Sequence, residues 1–202
     1  MTDRDDLFGR DSASATPLDE DEKDGLLLSW VATRDDLNRA EQANIAKARL
    51  AVRRRRLSVE TVLSDRFAKR LHRDMFGDVW RWAGQYRATE RNIGIAPWDV
   101  AVSVRDLMAD ASLWTTGDNP MEADEAAVRL HHRLVWIHPF ANGNGRHSRE
   151  MADVLVRCLG QPAFTWGSRR LVDPSDTRQQ YLTALRAADR GNYEPLVRFV
   201  RT

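Results

Sequence analysis

The chain has 202 residues, a formal charge of +1, 42% hydrophobic residues and 30% charged residues, a profile typical of one globular domain. A charge so close to zero gives no overall field that would attract nucleic acid or a membrane, so neither is expected as a partner. No apolar run approaches the ~20 residues that span a bilayer, and no signal peptide is visible. The single cysteine, Cys158, fits a reducing, cytoplasmic location.

The first quarter of the chain is predicted to hold a tail and then helices. Residues 1–15 are rich in Asp, Ser and Arg and have little to bury, which predicts a disordered tail. Residues 16–57 form an N-terminal helical region with two capped helix starts, at Thr16 and at Thr33. The remaining residues, 58–202, are assigned to the main domain.

Apolar residues at helical spacing predict helices through most of the main domain, which makes the fold class all-α. These helices are expected over residues 58–77, 97–114, 123–137, 151–159, from 174 onward, and over 193–200. The exception is the segment 87–95, defined here as the flap, where strand-forming residues and a glycine predict a short β-hairpin.

Residues 138–149, His-Pro-Phe-Ala-Asn-Gly-Asn-Gly-Arg-His-Ser-Arg, combine three kinds of chemical group. His138 can take a proton near neutral pH. The glycine turn at 143–145 opens a helix, whose first N–H groups and positive dipole end suit an anion. Arg146 and Arg149 lie on one face of that first turn, where cations oppose the dipole unless a polyphosphate binds between them.

This string resembles the signature of the Fic family, His-x-Phe-x-(Asp or Glu)-Gly-Asn-Gly-Arg-x-x-Arg. Only Asn142 departs from it, because the family has an acidic magnesium ligand at this position. More closely, the chain resembles the short Fic proteins known as mobile mystery protein B. The resemblance to the family extends beyond the motif, from about Leu26 to the C-terminus. The resemblance implies a Fic fold, a helical bundle with a small β-hairpin flap and an N-terminal inhibitory helix.

The resemblance also implies an activity, protein adenylyltransferase, which moves AMP from ATP to a Ser, Thr or Tyr hydroxyl of a target protein. By position, His138 would be the general base and Phe140 a buried anchor of the loop. Asn142 would reach Mg²⁺ through its amide oxygen, which is a weaker ligand than a carboxylate. The residues that would bind the phosphates are Gly143, Asn144, Gly145, Arg146 and Arg149.

Two further elements follow from the same resemblance. Many Fic proteins carry an inhibitory helix, Ser/Thr-x-x-x-Glu-Gly/Asn, whose glutamate pairs with the second arginine of the signature. Glu41 is the best match, although Leu37 and Gln42 replace the flanking types, and an exposed helical acid is the alternative. The flap of Fic proteins registers the target segment by strand addition. Its target-binding residues here would be Thr89, Asn92, Ile93 and Gly94.

Three alternative functions stay open. A metal hydrolase would use the clustered histidines, but the zinc helix pattern is absent. A Fic-fold binding module with an antitoxin-like partner is favoured by Asn142. Phosphoryl transfer to a protein is the third, and Gly145 argues against it because that Fic branch has another residue there. The expected partners are therefore ATP and an unidentified target protein, with Mg²⁺ as the cofactor.

Overall fold

The computed structural model describes residues 25–168 and 174–202, and this part of the chain is mostly helical. Its α-helices are α1 Arg34–Arg53, α2 Val59–Val62, α3 Asp65–Phe76, α4 Val100–Thr116, α5 Ala123–Ile137, α6 Asn144–Cys158, α7 Pro174–Ala188 and α8 Glu194–Val200. The all-α prediction is confirmed. The tail predicted over 1–15 and the helix start at Thr16 lie outside the described residues. No described helix is both long and apolar enough to cross a membrane.

Helices α5 and α6 form the centre of the domain and make the most extensive contact between any two helices. Their facing sides bury large apolar residues, among them Leu130, Leu134, Met151 and Leu155. Each such side chain stabilises the fold by roughly 1.5–3 kcal/mol when it leaves water. Because α4 and α8 pack on α5, while α2 and α3 pack on α6, the loop that joins α5 to α6 rests on a rigid base.

The single helix predicted over 58–77 is divided into α2 and α3. Ser58 caps α2 by accepting a hydrogen bond from Thr61 N at 3.1 Å. Ser64 then caps α3, since its hydroxyl accepts from Phe67 N at 3.2 Å and donates to Thr61 O at 2.7 Å. Serine side chains compete well for backbone groups at helix starts, so this second cap interrupts the helix.

The β-hairpin predicted for the flap does not form. No residue of the flap lies in a strand, and the isolated bridge between Leu26 and Trp80 lies outside the flap. The two ends of the flap are joined instead by the guanidinium of Arg87, which donates to Thr89 O at 3.1 Å and to Ile95 O. One side chain therefore closes the loop that a ladder of backbone hydrogen bonds was expected to close, and residues 88–92 stay exposed.

Helix α1 docks on α3 and the turn after it through polar contacts as well as apolar ones. Thr33 and Asp36 form a capping box at its start, as the sequence predicts. Further along, Asn44 accepts from Asp78 N at 2.9 Å and donates to Asp74 O at 3.0 Å. Because Asn44 is buried, these bonds fix the position of α1 along its own axis relative to α3.

Replacing Asn44 by Ala should lower the free energy of unfolding by about 1–3 kcal/mol, because it leaves the N–H of Asp78 and the carbonyl of Asp74 without a partner. Urea denaturation measures the change. Asn38→Ala is the matched control, since Asn38 lies exposed on the same helix and should change stability by less than about 0.5 kcal/mol. Equal effects of the two substitutions would contradict this account of α1.

Candidate active site

The loop of residues 138–143 is held in shape by its own hydrogen bonds. Helix α5 ends at His138, which adopts the left-handed conformation with φ 54° and ψ 61°. The side chain of Asn144 then accepts from Phe140 N and donates to Phe140 O, both at 2.8 Å. This double contact closes the loop in the way that one rung of a β-ladder would, and it leaves His138 at the mouth of the loop.

Gly143 opens α6 at a position where only glycine fits. Its φ is +77°, and a Cβ there would lie 2.5 Å from the ring of Phe76. No side chain caps the helix, and its first internal hydrogen bond runs from His147 N to Gly143 O at 2.9 Å. The backbone N–H groups of residues 144–146 therefore lack helical acceptors and face the site with the positive end of the helix dipole.

Two buried histidines, His72 and His147, pack against the ring of Phe140 in the loop. His72 stacks on Phe140 with 3.7 Å between ring centroids and contacts Asn142 O through Nε2 at 3.0 Å. His72 Nδ1 accepts from Gly84 N at 3.0 Å, which makes Nε2 the protonated nitrogen. Burial holds the pKa of His72 well below its usual value, with a further contribution from His147. A neutral imidazole therefore fixes the backbone of Asn142.

Arg87 connects the flap to His138. Its Nε donates to His138 O at 2.7 Å, and its Nη2 lies 3.4 Å from Ile137 O, so the guanidinium also caps the end of α5. The flap returns to the same place at Gly94, where a Cβ would meet the Cβ of His138 at 2.6 Å. The flap is thus packed against His138, although its residues 89 and 92 are exposed.

Glu41 reaches the site from α1 and pairs with the first arginine of the motif. It is 2% exposed, and its Oε2 accepts from Arg146 Nη1 at 2.6 Å. Its Oε1 accepts from the indole N–H of Trp80 at 2.6 Å. The family pattern implied a pair with Arg149, so this contact differs from the expectation by one helical turn. The alternative that Glu41 is an exposed acid is wrong, because the carboxylate is buried.

The motif arginines lie in different surroundings. The Arg146 guanidinium is held by Glu41 and by the ring of Phe76, whose centroid is 5.0 Å away. Arg149 donates through Nε to Gly145 O at 3.1 Å. Burial lowers the pKa of Arg149, and repulsion from Arg146 lowers it further. An anion between the two guanidinium groups would relieve that repulsion.

Asn142 is exposed at the edge of the loop, and its Oδ1 accepts from Gly143 N at 2.6 Å. The amide oxygen therefore points toward the start of α6. A carbonyl oxygen can accept a second partner, so the residue can offer one neutral ligand to a hard cation.

The neighbouring histidines do not converge on a metal. His131 Nε2 contacts the hydroxyl of Tyr181 at 2.8 Å, and His132 Nε2 contacts Asp189 at 3.0 Å. His147 points the other way, toward α3. Within residues 25–168 and 174–202, no three His, Cys, Asp or Glu side chains gather to hold a metal ion. This arrangement gives the metal-hydrolase alternative no support.

Three residues shape the site although the sequence did not assign them to it: His72, Trp80 and Arg87. Trp80 lies in the segment before the flap, and Arg87 is the first residue of the flap. An arginine at the start of the flap was the available signal for Arg87. For His72 and Trp80 no such signal exists, because their partners lie 70 and 39 residues away in the chain.

The described chain is a helical domain in which an uncapped helix start, two arginines and a histidine lie at one loop. The sequence model of the Fic/DOC family matches residues 62–156, and the chain belongs to that family. The match includes α3 to α5 and nearly all of α6. The narrower resemblance to the mobile mystery protein B group stays a prediction.

Curated relatives and solved structures agree with this assignment. The chain is 32% identical over 137 residues to protein adenylyltransferase Fic of Drosophila grimshawi and 31% identical over 120 residues to protein adenylyltransferase fic-1 of Caenorhabditis briggsae. These alignments cover 64% and 58% of this chain but 26% and 22% of the relatives, so the chain spans about a quarter of their length.

Among solved structures, Fic-1 (residues 134–508) from C. elegans aligns with a TM-score of 0.63 at 25% identity, covering 89% of this chain and 51% of that one. The N-terminal Fic domain of Bep8 from Bartonella sp. 1-1C aligns with a TM-score of 0.67 at 13% identity, covering 86% and 88%. The expected Fic fold is therefore confirmed.

Acid should destabilise the domain through His147. Burial lowers the pKa of His147 from 6.5 to about 4. The unfolded chain takes up this proton below pH 6.5 while the folded protein does not, so stability present above that pH is lost as pH falls toward 4. The loss from this residue is about 3 kcal/mol, measured by urea denaturation from pH 7 to 4.

The variant His147→Gln provides the control, because its amide can donate to the same carbonyl without titrating. Its stability should fall less steeply over this pH range, by the contribution of one proton. An unchanged slope would mean that His147 is not buried in its neutral form.

Proposed function

We propose that this protein transfers AMP from ATP to a Ser, Thr or Tyr hydroxyl of a target protein. The observation that carries the proposal is the placement of His138 in the loop that leads into the uncapped start of α6, with Arg146 and Arg149 on the first two turns of that helix. This arrangement offers a base, backbone donors and two cations to one small region. The adenylyltransferase names of the relatives support the same reaction.

In the proposed reaction His138 accepts the proton of the target hydroxyl as its oxygen attacks the α-phosphorus of ATP. A new phosphorus–oxygen bond to the target forms while the bond to the β-phosphate oxygen breaks. Pyrophosphate leaves with the electron pair, and AMP stays on the target. The N–H groups at the start of α6, from Asn144 and Gly145, stabilise the negative charge on the phosphates as it shifts.

Arg146 and Arg149 would hold the β- and γ-phosphates and then the leaving pyrophosphate, because guanidinium groups match phosphate oxygens in pairs. Mg²⁺ would supply positive charge to the same phosphates. The residues present fit it modestly, since Asn142 offers one neutral oxygen and Mg²⁺ prefers carboxylates and phosphates. The nucleotide would therefore provide most of the ligands of the cation.

Glu41 would act as a brake in this scheme. Its carboxylate occupies Arg146 at 2.6 Å, so the guanidinium is not available to a phosphate while α1 stays docked. The Trp80 indole and the buried Asn44 hold α1 and Glu41 in this position. Inhibition through Arg146 blocks the nucleotide by competition for a cation, in addition to the repulsion between carboxylate and phosphate.

The target would bind along the flap. Residues 88–92 are exposed and lie outside any strand, so their backbone groups can pair with an extended segment. The residues proposed to make this contact are Thr89, Asn92, Ile93 and Gly94. Gly94 lies against the Cβ of His138, so a segment bound here would bring its hydroxyl to the base. Pairing through the backbone would tolerate varied side chains on the target.

A second candidate function is a Fic-fold binding module that serves a partner, such as an antitoxin-like protein, without transfer. Asn142 in the place of an acidic ligand and the buried Glu41–Arg146 pair favour it. Both functions predict nucleotide or partner binding, and only the first predicts covalent label.

Label from α-³²P-ATP should appear on the protein or on a lysate protein, and label from γ-³²P-ATP should not. His138→Ala should reduce the α-label by at least about 100-fold, because a general base contributes that much or more. Circular dichroism of the variant checks that it folds. Label from the γ-phosphate alone would indicate phosphoryl transfer, and no label from either would favour the binding module.

Glu41→Gln should increase α-label transfer by about tenfold or more, since the amide keeps an acceptor for Trp80 but frees the charge of Arg146. Initial rates at an ATP concentration well below saturation measure the effect, because a brake that competes with the nucleotide is overcome at saturation. Glu60→Gln is the matched control, because Glu60 is an exposed acid on α2 and should leave the rate unchanged. If both variants behave like the unmodified protein, Glu41 is not a brake.

A further inference from the structure

A cleft of about 740 Å³ lies beside the candidate active site, between α1, the start of α6 and residues 165–168. We call it the arginine cleft, because four of the eleven lining residues that the structure describes are arginines and none of the eleven is acidic: Arg49, Arg53, Arg146 and Arg149. Two of them come from the signature and two from α1. The phosphate site and the arginine cleft therefore share Arg146 and Arg149.

The cations of the arginine cleft are partly preorganised. Arg49 Nε is held by Glu150 at 2.6 Å, and Glu150 is buried behind the lining rather than in it. Arg53 is exposed at the end of α1, and no acidic residue in the described part of the chain pairs with it. The cleft therefore combines one fixed guanidinium and one that can move to a ligand, beyond the pair at α6.

The opposite wall of the arginine cleft is rigid. Trp166 adopts φ 54°, a conformation that is unfavourable for a residue with a side chain, and its indole N–H donates to both oxygens of Asp153, at 3.1 and 3.3 Å. Leu50 faces this wall from α1 with its side chain exposed. Because the described lining carries guanidinium groups and no carboxylate, an anionic ligand fits this cleft.

We propose that the arginine cleft binds a phosphoanhydride group, with Arg49 and Arg53 as additional binding residues for it. The inference rests on the proposed function, in which Arg146 and Arg149 of α6 bind phosphates, and it adds two arginines of α1 to that site. The group could arrive as the terminal phosphates of a nucleotide or as pyrophosphate, and the chemistry recognised is the same. Adjacent negatively charged phosphates match neighbouring guanidinium groups.

Electrostatics favours this ligand over a neutral one. Arg146 and Arg49 both lower the pKa of the buried Arg149, after the larger effect of burial. Guanidinium groups that repel one another are stabilised when an anion binds between them. A ligand at Arg146 also competes with Glu41, so the arginine cleft and the brake would be coupled and each would weaken the other.

The test is isothermal titration calorimetry with sodium pyrophosphate and, separately, ATP, at about 0.15 M salt, where distant surface charges are screened. The protein carries His138→Ala, which prevents transfer, and Glu41→Gln, which frees Arg146. Arg53→Gln is compared with Arg54→Gln. Both remove one exposed arginine at the same end of α1, but only Arg53 lines the arginine cleft.

Arg53→Gln should weaken binding about fivefold, while Arg54→Gln should change it less than twofold. Gln42→Glu, which places a carboxylate in the cleft at an exposed position, should also weaken binding. If Arg53→Gln weakens the binding of pyrophosphate but not of ATP, the ligand of the arginine cleft is the released pyrophosphate. If it weakens the binding of ATP alone, or of both probes, the ligand is the triphosphate group of the nucleotide.

Equal effects of Arg53→Gln and Arg54→Gln, or no effect of Arg53→Gln on either ligand, would overturn the proposal. This outcome is separate from failure of the proposed function. If no α-label appears but pyrophosphate binding depends on Arg53, the arginine cleft binds phosphate although the protein transfers no AMP. If α-label appears and requires His138 but binding does not depend on Arg53, the protein transfers AMP and the proposal for the arginine cleft is wrong.

Discussion

The paired hydrogen bonds between the Asn144 side chain and the backbone of Phe140 set the geometry on which the candidate site depends. They close the loop after His138 and start α6 directly afterwards. A histidine and a row of free helix N–H groups consequently lie within one short segment. Without this closure, the same residues would belong to an open connection between two helices, and their spacing in sequence would fix no spacing in the structure.

Helix α1 adds a second layer to this arrangement. Its inner face is not an apolar stripe, because Glu41 and Asn44 occupy buried positions between Leu37 and Ala48. Both polar groups are paired, one with the motif and one with the turn after α3. Undocking of α1 should therefore cost less free energy than undocking of a helix with a fully apolar inner face. Water can replace the hydrogen bonds that α1 loses, but it cannot replace the burial of apolar surface.

The sequence predicted those parts of the molecule that depend on local order. The cap at Thr33, the ends of α5 and α6, and the glycine turn that joins these two helices follow from residue types at short spacing. It did not predict Trp80 and His72 as supports of the site, because these contacts join residues far apart in the chain. It also predicted strands where Arg87 closes the flap, since a pattern of β-branched residues does not reveal a competing side chain.

One consequence of the Arg87 contacts concerns how freely the flap can change in evolution. A single guanidinium holds the carbonyls of Thr89 and Ile95 together with that of His138. Apart from Gly94, where a Cβ would meet that of His138, the identities of the exposed residues between those two anchors are therefore free to diverge, and the number of residues is not. An insertion or deletion there would move one anchor and pull on the backbone of the general base proposed for this site.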